Sequence, residues 1–255
     1  MAGIGGPVFD AERRQSMAAA FLEGGGRYHK VRPGYPPESL AWLTETATHI
    51  HDVLDVGSGT GKYTQLLAEH GWSLSAVDPS ADMLAQLILD FPQATAMVGT
   101  AEHLELPGSA MDLVVVAQAW HWCEPFAASK EIARVLRPEG TLGLVWNQLD
   151  VGQPWVHRLA RIMHAGDVLK PDFRPTLGPE FATPLRHTTR WVQPQTPEEI
   201  MELATSRSYY LKASEQIRAK VMANLRWYLF DHLGHAPGEE LALPYLTQTW
   251  RTQKA

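Results

Sequence analysis

The sequence predicts an α/β fold opened by a nucleotide-binding βαβ unit, on three observations. Val53, Leu54 and Val56 form a short apolar run that reads as a buried strand, and Gly57, Gly59 and Gly61 follow at once. Residues 60–70 then read as a helix, with Tyr63, Leu66 and Leu67 on one face. Finally, the next apolar run closes on an acid, Asp78, roughly 20 residues after Asp55, the spacing of a carboxylate that binds ribose hydroxyls in such units.

Spacing separates the cofactor classes that share this layout. A phosphate-gripping loop needs Gly, four residues, then Gly-Lys-Ser/Thr. Here Gly61-Lys62 is followed by Tyr63, and Val56 holds the place of the first glycine. The dinucleotide fingerprint needs its third glycine three residues after the second, where this chain has Lys62. What remains is Asp55-Val56-Gly57-Ser58-Gly59-Thr60-Gly61, with an acid two residues before the first glycine.

Before this unit, residues 9–23 carry Phe9, Met17, Ala20 and Phe21 at helical spacing, and Gly24-Gly25-Gly26 ends the pattern. Tyr28 to Pro37 is rich in proline, which fixes φ and holds its predecessor extended, so a stiff loop is expected. Residues 38–50 read as a helix, 74–77 as the second strand, and Ser80 as the cap of a helix with Met83, Leu84 and Leu87 inward. Residues 94–98 form a third strand. The run Met111 to Val116, apolar apart from Asp112, predicts a fourth strand covered on both faces. Residues 124–136 read as a helix, 137–140 as a turn and 141–146 as the fifth strand. Beyond Asp150 a helix is expected over 155–165, a long loop over 167–183, a strand over 185–192, helices over 197–207 and 213–230, and a last strand over 241–250. Two parts follow: residues 1–150 as an N-terminal lid and cofactor-binding core, and 151–255 as substrate-side helices plus final strands of the same sheet.

Composition narrows the function classes. The chain has 255 residues, 45% hydrophobic and 20% charged, enough for a full core. A formal charge of −6 with scattered Lys and Arg argues against nucleic acid as a partner. No apolar run nears the roughly 20 residues of a membrane span, and no signal peptide is expected from the first ten residues. One cysteine, Cys123, excludes an internal disulfide and fits a reducing, cytoplasmic setting. His121-Trp122-Cys123-Glu124 has no second cluster to complete a four-ligand site, so no metal is predicted. Oligomeric state is not readable.

The glycine string resembles motif I of the class I S-adenosylmethionine (SAM)-dependent methyltransferases. The resemblance runs from about Tyr28 to Asn147 and includes Ala133-Arg134-Val135-Leu136-Arg137-Pro138-Glu139-Gly140 before strand five. It implies a Rossmann-like seven-stranded mixed sheet, helices on both faces, a helical cap, and SAM as cofactor with S-adenosylhomocysteine (SAH) as product. Tyr28, Arg32, Pro33, Tyr35 and Pro36 are similar to the entry loop of the small-molecule group that includes the trans-aconitate methyltransferases; this implies contacts of Tyr28 and Arg32 with the methionine end of SAM. Asp55, Gly57, Ser58 and Gly59 would line the cofactor, and Asp78 with Pro79 the ribose. Thr100 stands where relatives often carry Asp toward adenine, beside Ala101 and Glu102. Gln118-Ala119-Trp120-His121-Trp122 resembles the signature after strand four, which puts Gln118 near the sulfonium, His121 as base or substrate-orienting residue, and Trp122 as a wall. By position, Trp146 and Asn147 at the exit of strand five, and Tyr209 and Tyr210 at a helix junction, are expected to touch substrate. The expected reaction moves the SAM methyl to an oxygen, less favourably a nitrogen or sulfur, of a small-molecule acceptor by in-line displacement. The competing readings are a non-catalytic SAM-binding protein and an NAD-linked oxidoreductase on a related fold.

Overall fold

The computed structural model describes residues 32–164, 169 and 172–255. The helix expected over 9–23, the triple glycine and Tyr28 lie outside the described residues. Seven strands pair into one sheet: β1 (Asp52–Val56), β2 (Ser73–Asp78), β3 (Thr95–Val98), β4 (Met111–Ala117), β5 (Leu136–Leu149), β6 (Leu185–Gln195) and β7 (Leu241–Gln253). Their order is β3-β2-β1-β4-β5-β7-β6. The first five run parallel, and β7 inserts antiparallel between β5 and β6. This is the Rossmann-like mixed sheet that the motifs predict. Strand order reverses at β1, whose neighbours are β2 and β4, so the crevice beyond its carboxyl end is a topological switch point.

The helices are α1 (Pro37–Thr44), α2 (Thr64–Ala68), α3 (Ala81–Asp90), α4 (Pro125–Val135), α5 (Pro154–Ile162), α6 (Pro197–Thr205), α7 (Ser208–Lys212) and α8 (Glu215–Arg226). Strand side chains alternate between faces, and two separate cores show it. Leu54, Val56, Val114, Val116, Leu142, Leu144 and Trp146 pack with Ile132 and Val135 of α4. Val53, Leu113, Val115 and Val145 pack on the other face with Leu40 and Leu43 of α1, Leu67 of α2 and Leu87 of α3. A third core joins Leu159 of α5, Leu203 of α6 and Leu225 of α8 to Leu149, Leu243 and Tyr245 at the ends of β5 and β7. It forms a helical cap over one side of the crevice.

Several boundaries differ from the sequence reading. The helix expected over 60–70 has only α2 as regular helix, because residues 57–63 belong to a glycine loop whose three glycines all have positive φ. The helix expected over 38–50 stops at Thr44, whose hydroxyl donates back to the Leu40 carbonyl (3.0 Å). The turn at 137–140 is a bulge within β5: Met111 pairs with Leu136, then Leu113 with Thr141, leaving four residues opposite Asp112. Arg137 is pinned there between Asp112 (2.6 Å) and Asp52 (2.8 Å). The last helix passes at Arg226 into a π-helical turn, Trp227–His232, with Arg158 over the faces of Trp227 and Tyr228. No described helix is long and apolar enough to cross a membrane.

Candidate functional site

The parallel strands end in a cavity of about 360 Å³ at the switch point. Its floor is the loop after β1. The Gly57 and Ser58 amides both donate to the Val77 carbonyl (2.7 and 3.1 Å), which ties the β1 exit to the β2 exit. A Cβ at Gly57 would lie 2.4 Å from the Ala119 Cβ, so only glycine lets this loop pass the segment after β4. Gly59, at φ +54°, donates its amide to Asp78 Oδ2 (2.8 Å), and the Ser80 amide donates to Asp78 Oδ1 (2.8 Å). Each carboxylate oxygen keeps a lone pair beyond these amides, and Asp78 lines the cavity. Burial pushes its carboxyl up, and the two amides oppose that shift.

Asp55 lies beneath the loop, fully buried. Its Oδ2 accepts from the Thr64 hydroxyl (2.6 Å), while Oδ1 is buried with no hydrogen-bond partner among the described residues. Burial is the main cause that raises its carboxyl to about 7; Thr64 lowers it and the nearby Asp78 charge adds to the rise. The Ser58 hydroxyl is likewise buried and unpartnered among the described residues, and both residues line the cavity.

One wall comes from the segments after β3 and β4. Thr100, Ala101 and Glu102 line the cavity, and the Glu102 carboxylate accepts from the Glu124 amide (2.7 Å) at the start of α4. Gln118 leaves β4 in the left-handed region (φ +55°), a strained geometry for a non-glycine residue that clusters at functional sites. Its Nε2 donates to the Asn147 carbonyl (2.5 Å). A short 3-10 turn, Trp120–Trp122, follows. Trp120 is buried and donates its indole N–H to the Thr176 carbonyl (3.0 Å); that anchor leaves His121, Trp122 and Cys123 on the cavity side. The His121 ring tilts against Trp122, centroids 4.4 Å apart.

The other wall joins the loop before α1 to the cap. Arg32 lines the cavity, and its Nη2 donates to the Ser206 carbonyl (2.8 Å) at the end of α6. Cations are favoured at a helix carboxyl end. Asn147 donates to the Gly34 carbonyl (2.7 Å) and accepts from the Thr247 hydroxyl, so it fastens this loop to the sheet.

Arg32, Asp55, Gly57, Ser58, Gly59, Asp78, Pro79, Thr100, Ala101, Glu102, Gln118, His121, Trp122 and Asn147 therefore meet around one cavity. Three expected residues do not. Trp146 packs edge-on to Phe173 in the α4-side core, because its neighbour Asn147 faces the opposite way along β5. Tyr209 stacks on His164 in a separate groove between α5 and α8, and Tyr210 is partly buried against the cap core. Sequence reasoning passed over Tyr35, Lys62, Met83, Cys123, Gln148, Leu149, Leu203, Arg207 and Tyr245, all of which line the cavity. Tyr35, Lys62 and Cys123 stand inside or directly beside strings that the sequence singles out, and the others carry no such signal. Among the described residues no group of three or more His, Cys, Asp or Glu could hold a metal ion.

Fold and site together define a protein that holds a nucleoside-bearing cofactor beyond its first strand. Residues 54–144 match the sequence pattern of a methyltransferase domain. An uncharacterized methyltransferase of Mycobacterium tuberculosis is 43% identical over 235 residues, 92% of this chain and 95% of that one. A malonyl-[acyl-carrier protein] O-methyltransferase of Serratia marcescens is 28% identical over 156 residues, 55% of this chain and 61% of that one. A solved structure from Anaeromyxobacter dehalogenans, provisionally described as a type II methyltransferase, covers 88% of this chain and 97% of its own at 25% identity, with a TM-score of 0.55. The chain belongs to the class I SAM-dependent methyltransferases. The oxidoreductase reading falls with that result.

The site fits SAM on its own geometry. A cradle closed to any Cβ at Gly57, free lone pairs on Asp78, and unpartnered buried oxygens at Asp55 and Ser58 suit a polar, cationic nucleoside rather than an apolar ligand.

Proposed function

We propose that this methyltransferase acts on an oxygen of a small-molecule acceptor held in the cavity beside the cofactor. The observation that supports this reading is the lining of the cavity, which joins the glycine-loop residues and His121 and Trp122 to Leu149, Leu203, Arg207 and Tyr245 from the cap side. The O-methyltransferase from Serratia supports oxygen as the acceptor atom. SAM, when bound, supplies a methyl group already activated as a sulfonium.

The chain's own residues then have positional tasks. Asp78 accepts the ribose hydroxyls on its outward lone pairs. Thr100, Ala101 and Glu102 border the adenine end, and Arg32 meets the methionine carboxylate. Gln118, strained and tied to Asn147, presents the end of β4 to the reacting groups. His121, on the cavity side of its 3-10 turn, takes the acceptor proton or orients the acceptor, and Trp122 closes the wall. Alignment of this kind contributes up to roughly 7–11 kcal/mol, so one base need not dominate.

The test is transfer of a tritiated methyl group from SAM to a panel of hydroxyl-, carboxyl-, amine- and thiol-bearing metabolites. Label in an O-methyl product is expected. Transfer only to amines or thiols, or to macromolecules in a lysate but to no small molecule, would contradict the reading.

A further inference from the structure

The cap carries a second hollow, between α5 and α8. It encloses about 670 Å³, a volume that suits a small ligand, and it shares no lining residue with the first cavity. Arg158 and Arg161 stand on its α5 wall and Lys220 on its α8 wall, and no carboxylate among the described residues lines it. The surrounding elements lean the same way. α5, α7 and α8 carry Arg158, Arg161, Lys212, Arg218, Lys220 and Arg226 against the single acid Glu215, in a chain of net charge −6. Arg218 is tied to the Tyr210 and Leu211 carbonyls, and Arg158 lies over the Trp227 and Tyr228 rings. Arg161 and Lys220 are exposed, and their side chains make no ion pair or hydrogen bond among the described residues. Cations gathered around one hollow repel each other unless an anion sits among them. The rim is aromatic. His164 takes the left-handed position after α5 (φ +47°), where glycine is usual, and its ring stacks on Tyr209 (centroids 3.9 Å, 21°). Non-glycine residues held in that region cluster at functional sites. Tyr209 is 43% exposed, so its ring remains open to a ligand.

We propose that this groove is a second ligand site, for a phosphate ester with an aromatic body, a nucleotide in chemical class. Its phosphates lie between Arg161 and Lys220 and its ring against Tyr209. A guanidinium fork matches two phosphate oxygens, and the ammonium across the groove adds a point charge. The α8 wall runs from Ile217 to Asn224, about two turns or ~10 Å, the length of a diphosphate with one ring rather than of a docked helix. The site stands apart from methyl transfer and does not depend on which acceptor the first cavity takes. α7 joins the two, with Arg207 at its start in the first cavity and Tyr209 in the second.

The full chain, saturated with SAH so that the first cavity is filled, is titrated calorimetrically at constant ionic strength with ADP, GDP and UDP, each beside its nucleoside. Pyrophosphate and a hexaglutamate peptide complete the series. At least one diphosphate should bind about tenfold or more tighter than its nucleoside, the difference that charge-assisted hydrogen bonds confer. Arg161→Met and Lys220→Met should each weaken that nucleotide about fivefold, and the two together should bring it within about twofold of the nucleoside. Arg161→Lys should keep part of the affinity. Tyr209→Ala should weaken the nucleotide about fivefold, the loss of one stacked ring, and leave pyrophosphate within about twofold. SAH affinity should stay within about twofold in every variant, which also shows that each is folded. Diphosphates no tighter than nucleosides, binding that survives the double variant, or competition between nucleotide and SAH would overturn the assignment. So would hexaglutamate binding tighter than every nucleotide, which would make the groove a surface for an acidic polypeptide.

Discussion

The two ends of the cavity are built from different materials. The cofactor end is made of backbone and strand termini: glycine amides on Val77 and Asp78, and an acid at the end of each of β1 and β2. The cap end is made of side chains brought together from far apart, with Leu149 on β5, Leu203 on α6, Arg207 at α7 and Tyr245 on β7. A backbone-built end tolerates little change and serves one ligand. A side-chain-built end can be rewritten residue by residue, which suits the part that chooses an acceptor.

If that contrast holds, damage at the cofactor end should be large and confined to SAM. Asp78→Ala removes the carboxylate proposed to accept from the ribose hydroxyls and leaves the Gly59 and Ser80 amides without that partner. At about 1.5–3 kcal/mol per charged hydrogen bond, SAM affinity should fall by roughly 100-fold or more, as read by calorimetry. An affinity within threefold of wild type would refute the ribose role. His121→Ala should come next. With an acceptor found by label transfer, kcat should drop about 100-fold while SAM affinity stays within twofold, as expected for a base or orienting group. Equal losses in both would make His121 a packing residue.

Stability should mark the same boundary. Gly57→Ala forces a methyl group against Ala119 at a positive φ. A loss of about 2 kcal/mol is expected by urea unfolding, with SAM binding impaired. The last effect is a slope with pH and leaves SAM binding aside. Burial raises the Asp55 carboxyl to about 7, against an ordinary value near 3.9 in the unfolded chain. Across roughly pH 4 to 7 the folded chain keeps a proton that the unfolded chain has released, so stability must fall as pH rises through that window. Asp55→Asn should flatten that fall by on the order of 1 kcal/mol per pH unit, measured by urea unfolding from pH 4.5 to 7.5. Asp78, also raised by burial, leaves a residual slope of the same sign. A slope unchanged by Asp55→Asn would mean that Asp55 is charged in the fold throughout.

What the sequence made legible follows the same division. Glycine spacing and the distance from Asp55 to Asp78 are local, and they locate the cofactor end by themselves. Residues 118–122 were legible because they directly follow an unmistakable strand. Strand alternation separates Trp146 from Asn147: consecutive residues of β5 face opposite sides, so the two do not share a rim. Asn147 reaches the cavity, yet its polar atoms are largely committed to Gly34, Thr247 and Gln118, which makes it a brace. A helix junction marks Tyr209 and Tyr210 in the sequence, but the cap-side aromatic that lines the cavity is Tyr245. Its place depends on β7 inserting antiparallel beside β5, which sets Tyr245 opposite Leu149. Nothing near Tyr245 in the chain encodes that pairing, and the same holds for Arg207.

The most direct test of the central claim is a crystal structure with SAH bound. The ribose hydroxyls should lie about 2.6–3.0 Å from the Asp78 carboxylate, with the nucleoside over Gly57 and Gly59 and the homocysteine sulfur directed toward Gln118 and the cap. SAH bound elsewhere, or in this cavity with its ribose turned away from Asp78, would contradict the account.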